Sequence, residues 1–301
     1  MSSICSEPFP ALAPGDDPIT HRLAHPHRVV DISEALARWS WTDVILIGRL
    51  PPQFEEPPDL PDRIRGALGR QLEARQAASP RTVSAWQVCF APRRGPAAIR
   101  PFVIRCDRRG GRVAIVLRLI GFASHWSAEC AEALAEALKG GIALKSRARL
   151  RVPIDIELIR IRARRGIGCD RAPISATLQF VTPLAIRRGR AVVGDLTMLP
   201  LNLHNRMAAL ARWQDWSLAP PSDDLLAACR RLSYTNEELG AEAWSRFSSS
   251  TQLAPLHMRG IVGRTIVSGP VAQVWPLLRF GEYFHAGSEC ALGLGRLALF
   301  A

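Results

Sequence analysis

The chain has 301 residues, 48% of them hydrophobic, and carries 39 Lys+Arg against 27 Asp+Glu, a net charge of +12. That length and apolar content support one large or two modest domains, and the charge points to a polyanionic partner, nucleic acid ahead of an anionic membrane surface. Seven scattered cysteines without a C-x-x-C pair suggest neither a zinc site nor a disulfide framework, no apolar run reaches the ~18 residues of a membrane span, and no signal-peptide core opens the chain, so the expected location is the cytoplasm.

Residues 1–30 are rich in Pro and Ser and lack periodicity, which predicts an extended arm, with 1–40 taken together as an N-terminal arm. His21, His25 and His27 cluster there without a carboxylate or cysteine to complete a metal set. Val44 to Leu50 reads as a buried strand, and Pro51 to Pro61 as a proline-rich loop. Pro61 to Arg75 reads as a helix with Ile64, Leu68 and Leu72 on one face, and its Gly66 and Gly69 imply close backbone approach. Trp86 to Phe90, Phe102 to Cys106 and Val113 to Gly121 read as strands, the last with Arg118 on its polar face. An amphipathic helix follows from Trp126 to Leu138. A strand from Ala148 to Ile161 then alternates Arg147, Arg149 and Arg151 with apolar residues, and Arg160, Arg162, Arg164 and Arg165 continue the charge. Like charges this dense repel unless a polyanion lies across them.

That order is β-α-β-β-α-β, one ferredoxin-like unit over 41–165. A second is expected over 172–301. It begins with a strand at Ile174 to Phe180 and carries helices at Asn202 to Trp213, Ser222 to Leu232 and Thr235 to Phe247, the last opened by a Thr235/Glu238 capping box. A strand at Ile261 to Val267 leads to a helix whose regular part is expected near Trp275, because Pro276 is tolerable only in a first turn. Leu277, Phe280, Gly281 and Phe284 mark its apolar face. A loop with Gly287, Gly293 and Gly295 leads to a closing strand, Leu294 to Phe300. Such loops offer backbone N–H groups to a phosphate, although a tight structural turn would look the same. The fold class is therefore α+β: two tandem ferredoxin-like domains, with an arm before the first and a helical insertion in the second.

Five segments carry a resemblance. GIVGRTIVSG, PLLRFGEYFHAG and GLGRLAL, between Gly260 and Leu299, resemble the C-terminal signature of the CRISPR repeat-processing endoribonucleases, the sixth Cas family of the RAMP superfamily. Trp244-Ser245-Arg246-Phe247-Ser248 resembles the family's W-x-R-aromatic-S segment, and Arg65 to Arg70 its first-helix RGALGR segment. The pieces fall in the family's order across about residues 43 to 301. Where the family has basic and small hydroxyl residues after His-x-Gly, this chain has Ser288-Glu289-Cys290.

The resemblance implies an endoribonuclease that cleaves CRISPR repeat RNA for antiviral defence. The ribose 2′-OH attacks the adjacent phosphate without metal or other cofactor, and the enzyme stays bound to the guide RNA it makes. It implies RNA and other Cas proteins of an effector ribonucleoprotein as partners. The alternative is a non-catalytic RNA-binding subunit. In many members a general acid–base histidine lies on or after the first helix, yet Val44 to Phe90 holds none. The expected catalytic residues are therefore Arg49, Arg65 and Arg70, clamping the phosphorane, or His27 folded back from the arm. The expected RNA-binding residues are Arg63, Arg118, Arg147, Arg149, Arg151, Arg162, Arg246, Arg264, His285, Gly287, Gly293, Gly295 and Arg296. His285 ends a helix, where the dipole favours its charged form; the other reading is a histidine that fixes the loop by a hydrogen bond. Gly293→Val or Gly295→Val is expected to abolish RNA binding in a folded protein.

Overall fold

A computed structural model of the protein describes residues 17–51, 59–78, 83–91, 99–143, 151–169, 171–188, 191–193, 195–246 and 256–300. The first half runs α1 (Pro18–Ala24), β1 (Arg28–Val30), α2 (Ile32–Arg38), β2 (Ser40–Arg49), α3 (Leu60–Ala78), α4 (Ala85–Cys89), β3 (Phe102–Arg109), β4 (Arg112–Ile120), α5 (Ser127–Lys139), β5 (Ile142–Ala143), β6 (Arg151–Val152) and β7 (Asp155–Arg165). The order β3-β4-β2-β7 makes one antiparallel sheet. Val44, Leu46, Phe102, Ile104, Val113, Ile115, Leu117 and Leu119 form its covered face, each at most 1% exposed. Against them pack Ile64, Leu68 and Leu72 of α3 and Cys130, Leu134 and Leu138 of α5. The period-2 pattern of the strands thus meets the 3.6-residue stripes of the helices.

The second half runs β8 (Ala176–Leu184), β9 (Ile186–Arg188), β10 (Ala191–Val193), α6 (Leu199–Ala211), β11 (Trp216–Leu218), α7 (Asp223–Arg231), β12 (Ser233–Arg246), β13 (Leu256–Ser268), α8 (Val271–Phe284) and β14 (Leu297–Phe300). Its sheet, β12-β13-β8-β14, repeats the strand order of the first. In both, the first strand of the unit sits between the third and the fourth, the arrangement of a ferredoxin-like fold. α8 lies against this sheet and against α6. A Cβ on Gly281 would stand 2.8 Å from Leu203 of α6 and 3.3 Å from Leu297 of β14, so glycine there permits both contacts.

Several expectations change. The arm is not extended from residue 17 onward. Asp17 caps α1 by accepting from Ile19 N, Arg22 makes a two-point ion pair with Asp215, and β1 runs parallel to β11. Pro18 falls in the first turn of α1, where a fixed φ is harmless. Trp86 to Phe90 is not a strand. Ser84 and Gln87 form a capping box, and the segment is the short helix α4. Thr235 to Phe247 is not a helix either: Ser233–Arg246 pairs with β13 along its length, and that ladder overrides the chance Thr-x-x-Glu spacing. α8 begins at Val271 rather than near Trp275, because Val271, Val274 and Trp275 are all buried and draw the first turn onto the core; Pro276 lies inside the helix.

Candidate functional site

The first half's own long helices, α3 and α5, cover one face of the first sheet, and the strand registers order the other. One row across it reads Val103, Arg118, Asp43, Arg162; the next reads Arg105, Val116, Ile45, Arg160; the third reads Asp107, Ala114, Ile47, Leu158. The second half of the chain covers the β3–β4 end of this face. Arg118 is 6% exposed; its Nε and Nη2 donate to the two carboxylate oxygens of Asp43 at 2.7 and 3.0 Å, and its Nη1 donates to Tyr283 O at 2.7 Å. Arg296, just before β14, donates to Asp107 at 2.6 Å. The β7 end stays open, with Leu158, Arg160 and Arg162 exposed.

At the seam sits the glycine loop. His285 and Glu289 hold positive φ, as do Gly287, Gly293 and Gly295. The loop is a closed scaffold. Gly287 N donates to Asn202 Oδ1, Gly293 N to Cys290 O and Gly295 N to Pro183 O, which leaves none of the three glycine N–H groups for a phosphate. A Cβ on Gly295 would lie 1.7 Å from Ala286 O, and one on Gly293 2.5 Å from Pro61 at the start of α3. A valine at either position would therefore break the loop itself, contrary to the expectation of a folded, non-binding variant. His285 is 1% exposed, and its Nδ1–H donates to Leu294 O at 3.0 Å. Burial first, then the Arg206 cation, push its imidazole down to about 3, which favours the neutral form over the charged one expected at a helix end.

The four expected catalytic side chains do not converge. Arg49 ends β2 and donates to Glu157 at 2.8 and 3.1 Å. Arg65 stacks over Phe90 at 5.4 Å. Arg70 lies on α3 toward the β5–β6 hairpin, where burial and then Arg151 lower its pKa. His27 is exposed, held by its own N–H to Asp215 O at 2.9 Å. Among the expected RNA contacts, Arg118 is fully committed inside the protein. Arg63 is spent on Asp59 and on Ala143 O, at 2.7 and 2.6 Å. Arg151, Arg162 and Arg264 are exposed and bear no ion pair to another described residue. Arg246 stands opposite Leu256 at the end of β12, and Arg147 and Arg149 lie outside the described residues.

Two residues the sequence reading passed over stand at the seam. Arg105 of β3 shares the face of Arg118, yet its Nε is buried without a hydrogen-bond partner among the described residues. Burial and then Arg118 depress its pKa. Arg206 of α6 is 9% exposed; its Nε donates to Phe284 O and its Nη2 is buried without a partner. Arg105, Arg206 and Arg296 all lie near enough to His285 to disfavour its charge. A signal existed for both: Val103, Arg105 and Asp107 alternate with Phe102, Ile104 and Cys106, and Arg206 interrupts the apolar stripe Leu199, Leu203, Met207, Leu210. Arg105 is only half-buried, so the rest of its guanidinium can meet the oxygens of a phosphate at the mouth of the exposed basic face. Among the described residues no three His, Cys, Asp or Glu side chains converge.

Residues 178–297 match the family model for the CRISPR-associated endoribonuclease Cas6. The fold is shared with solved structures across nearly the whole chain. A Cas6 product complex superposes with a TM-score of 0.52 at 16% identity, covering 87% of this chain and all of that one. Thermus thermophilus Cas6 superposes with a TM-score of 0.51 at 14% identity, covering 88% of this chain and 99% of that one. No curated protein matches the chain in sequence.

Proposed function

We propose that this chain binds CRISPR repeat RNA and cleaves precursor CRISPR RNA without a metal ion, keeping hold of the guide RNA it makes. The observation that carries this reading is the half-buried Arg105, its Nε without an acceptor among the described residues, at the glycine-loop seam of a chain whose residues 178–297 match the Cas6 family model. The RNA backbone would enter along the open β7 end of the first sheet, over Arg162 and Arg160, and reach Arg105 in the same row as Arg160. Arg105, with Arg206 and Arg296 beside it, would take the scissile phosphate. Attack by the neighbouring ribose 2′-OH breaks the bond to the 5′ oxygen and leaves a 2′,3′-cyclic phosphate and a 5′-OH. Guanidiniums fixed before the reaction stabilise the charge that grows on the phosphorane, and this kind of preorganisation supplies several kcal/mol. Arg70 and Arg151 form a second cationic patch on the α3 side for flanking phosphates. Chemistry of this kind needs cations on the phosphate and proton transfer at two oxygens, and guanidiniums can provide the first.

The test is incubation of hairpin repeat RNAs with the protein in EDTA, followed by analysis of the new ends and single-turnover rates for Arg105→Ala. Cyclic phosphate ends and a large rate loss in the variant are expected; an EDTA-sensitive activity would overturn metal independence. A second reading, a non-cleaving RNA-binding subunit, is favoured by the dispersal of Arg49, Arg65, Arg70 and His27. It would be supported by tight RNA binding with no cut on any hairpin.

A further inference from the structure

β7 ends the strand order of the first sheet, so its outer edge pairs with no described strand. Along Asp155–Arg165 every residue but Ile156 is exposed. Leu158, Ile159 and Ile161 are 37%, 46% and 44% exposed, an unusual concentration of aliphatic surface on an edge. Long exposed edges of this kind are templates for a further strand, and proteins blunt or cover them. The composition of β7 also has a direction. Asp155 and Glu157 stand at its start, the aliphatic residues in the middle, and Arg160, Arg162, Arg164 and Arg165 toward its end. Glu157 is bound by Arg49 and Arg112. Asp155 and the four arginines have no ion pair with another described residue.

A strand that is acidic at one end, apolar in the middle and basic at the other is complementary to itself run backwards. We propose that a second copy of this chain pairs antiparallel with the outer edge of β7, about a two-fold axis at Arg160, joining the two first sheets into one. Ile159 of each copy then faces Ile161 of the other on the helix side, extending the core under Val44 and Leu46. Leu158 of each copy faces Arg162 of the other, whose methylene stem covers it. Asp155 of each copy stands directly opposite Arg165 of the second copy, with Arg164 next to that pair. Arg160 alone meets its own like charge, at the axis. The interface is isologous and closed, so it stops at a dimer. Strand pairing uses only backbone N–H and C=O groups, and the basic open faces of the two copies become one surface. This proposal is independent of the RNA-processing reading, because it needs no RNA.

The experiment is light scattering on nucleic-acid-free protein over a concentration series. A dimer is expected, with a dissociation constant raised at least tenfold by Asp155→Arg alone and by Arg164→Asp/Arg165→Asp, and restored when all three changes are combined. A second arm places Arg160→Cys in a Cys169→Ser background. Directly opposed Cα atoms in an antiparallel pair are about 4.5–5.5 Å apart, within disulfide range, so oxidation should link the introduced thiols of the two copies across the axis, while Arg164→Cys should link poorly. A monomer at every concentration, or a dimer indifferent to the charge changes and to the thiol at the axis, would overturn the proposal. Association seen only when RNA is added would overturn it too and assign the β7 arginines to RNA instead.

Discussion

The covered end and the open end of the first sheet's bare face are built from the same residue type and do opposite things. At the covered end Arg118 has a carboxylate and a carbonyl on its guanidinium and locks the two halves of the chain together. One row away, Arg105 is also largely removed from water but keeps an unpartnered Nε. At the open end Arg160 and Arg162 are exposed. A paired buried cation holds the fold together, an incompletely paired one can still meet an anion, and an exposed one attracts a polyanion from a distance and can contact its phosphates. Charge alone does not separate these roles; burial and partners do.

The largest expected effect is at the architectural end. Arg118→Ala strands Asp43 as a buried, unpaired carboxylate and should cost about 3–5 kcal/mol, read by urea denaturation. Gly295→Val should do at least as much harm, because the backbone at Ala286 must move. A stable, well-folded Arg118→Ala protein would erase the distinction between Arg118 and Arg105.

Arg105→Ala should act weakly on stability and strongly on RNA. No carboxylate among the described residues is hydrogen-bonded to Arg105, so its removal strands no partner and leaves the fold little changed, while losing a charged hydrogen bond to phosphate, about 1.5–3 kcal/mol, weakens RNA binding roughly ten- to hundredfold. Unfolding of Arg105→Ala, or unchanged RNA affinity, would make Arg105 a mere relative of Arg118.

His285 sharpens the comparison through pH. Its imidazole titrates near 3 in the folded protein and near 6.5 when unfolded, so the unfolded chain binds the extra proton between those values. The native state therefore has its full margin above pH 6.5 and loses it as pH falls toward 3, by up to about 1.4 kcal/mol per unit from this residue. His285→Gln, which cannot titrate, should show a shallower acid slope in thermal melts. An RNA-binding profile that follows a group near pH 6.5 and vanishes in this variant would restore a functional role to His285.

The smallest effects belong to the open end. Arg162→Ala or Arg264→Ala should change stability by less than about 0.5 kcal/mol. Each should lower the slope of log K against log salt by about 0.7 if it meets a single-stranded phosphate. A slope unmoved by either would remove that residue from the RNA path.

Much of the fold was legible because its strands and helices keep their own periods: Val113, Ile115, Leu117 and Leu119 share one strand face, and Ile64, Leu68 and Leu72 sit one turn apart. The failures fall where pairing partners are distant. Ser233–Arg246 carries a helix cap in its letters, and only its ladder with β13 makes it a strand. Residues 17–30 look like a linker until β11, far along the chain, supplies an edge. At the site, the sequence pointed to the glycine loop and to abundant arginine. It could not tell which guanidiniums find a carboxylate, since Asp43 and Asp107 reach Arg118 and Arg296 only through the strand register and the meeting of the two halves.

The ion pair of Arg22 with Asp215, 193 residues apart, also sets an order of events during synthesis. At about 5–20 residues per second, residues 17–30 wait roughly 10–40 s before their docking site exists. The first sheet can form in that interval, but α1 and β1 cannot settle until α6 and β11 have emerged. Residues 17–30 are thus among the last parts to fold, and a nascent chain halted before Asp215 should expose them to protease while the finished protein shields them.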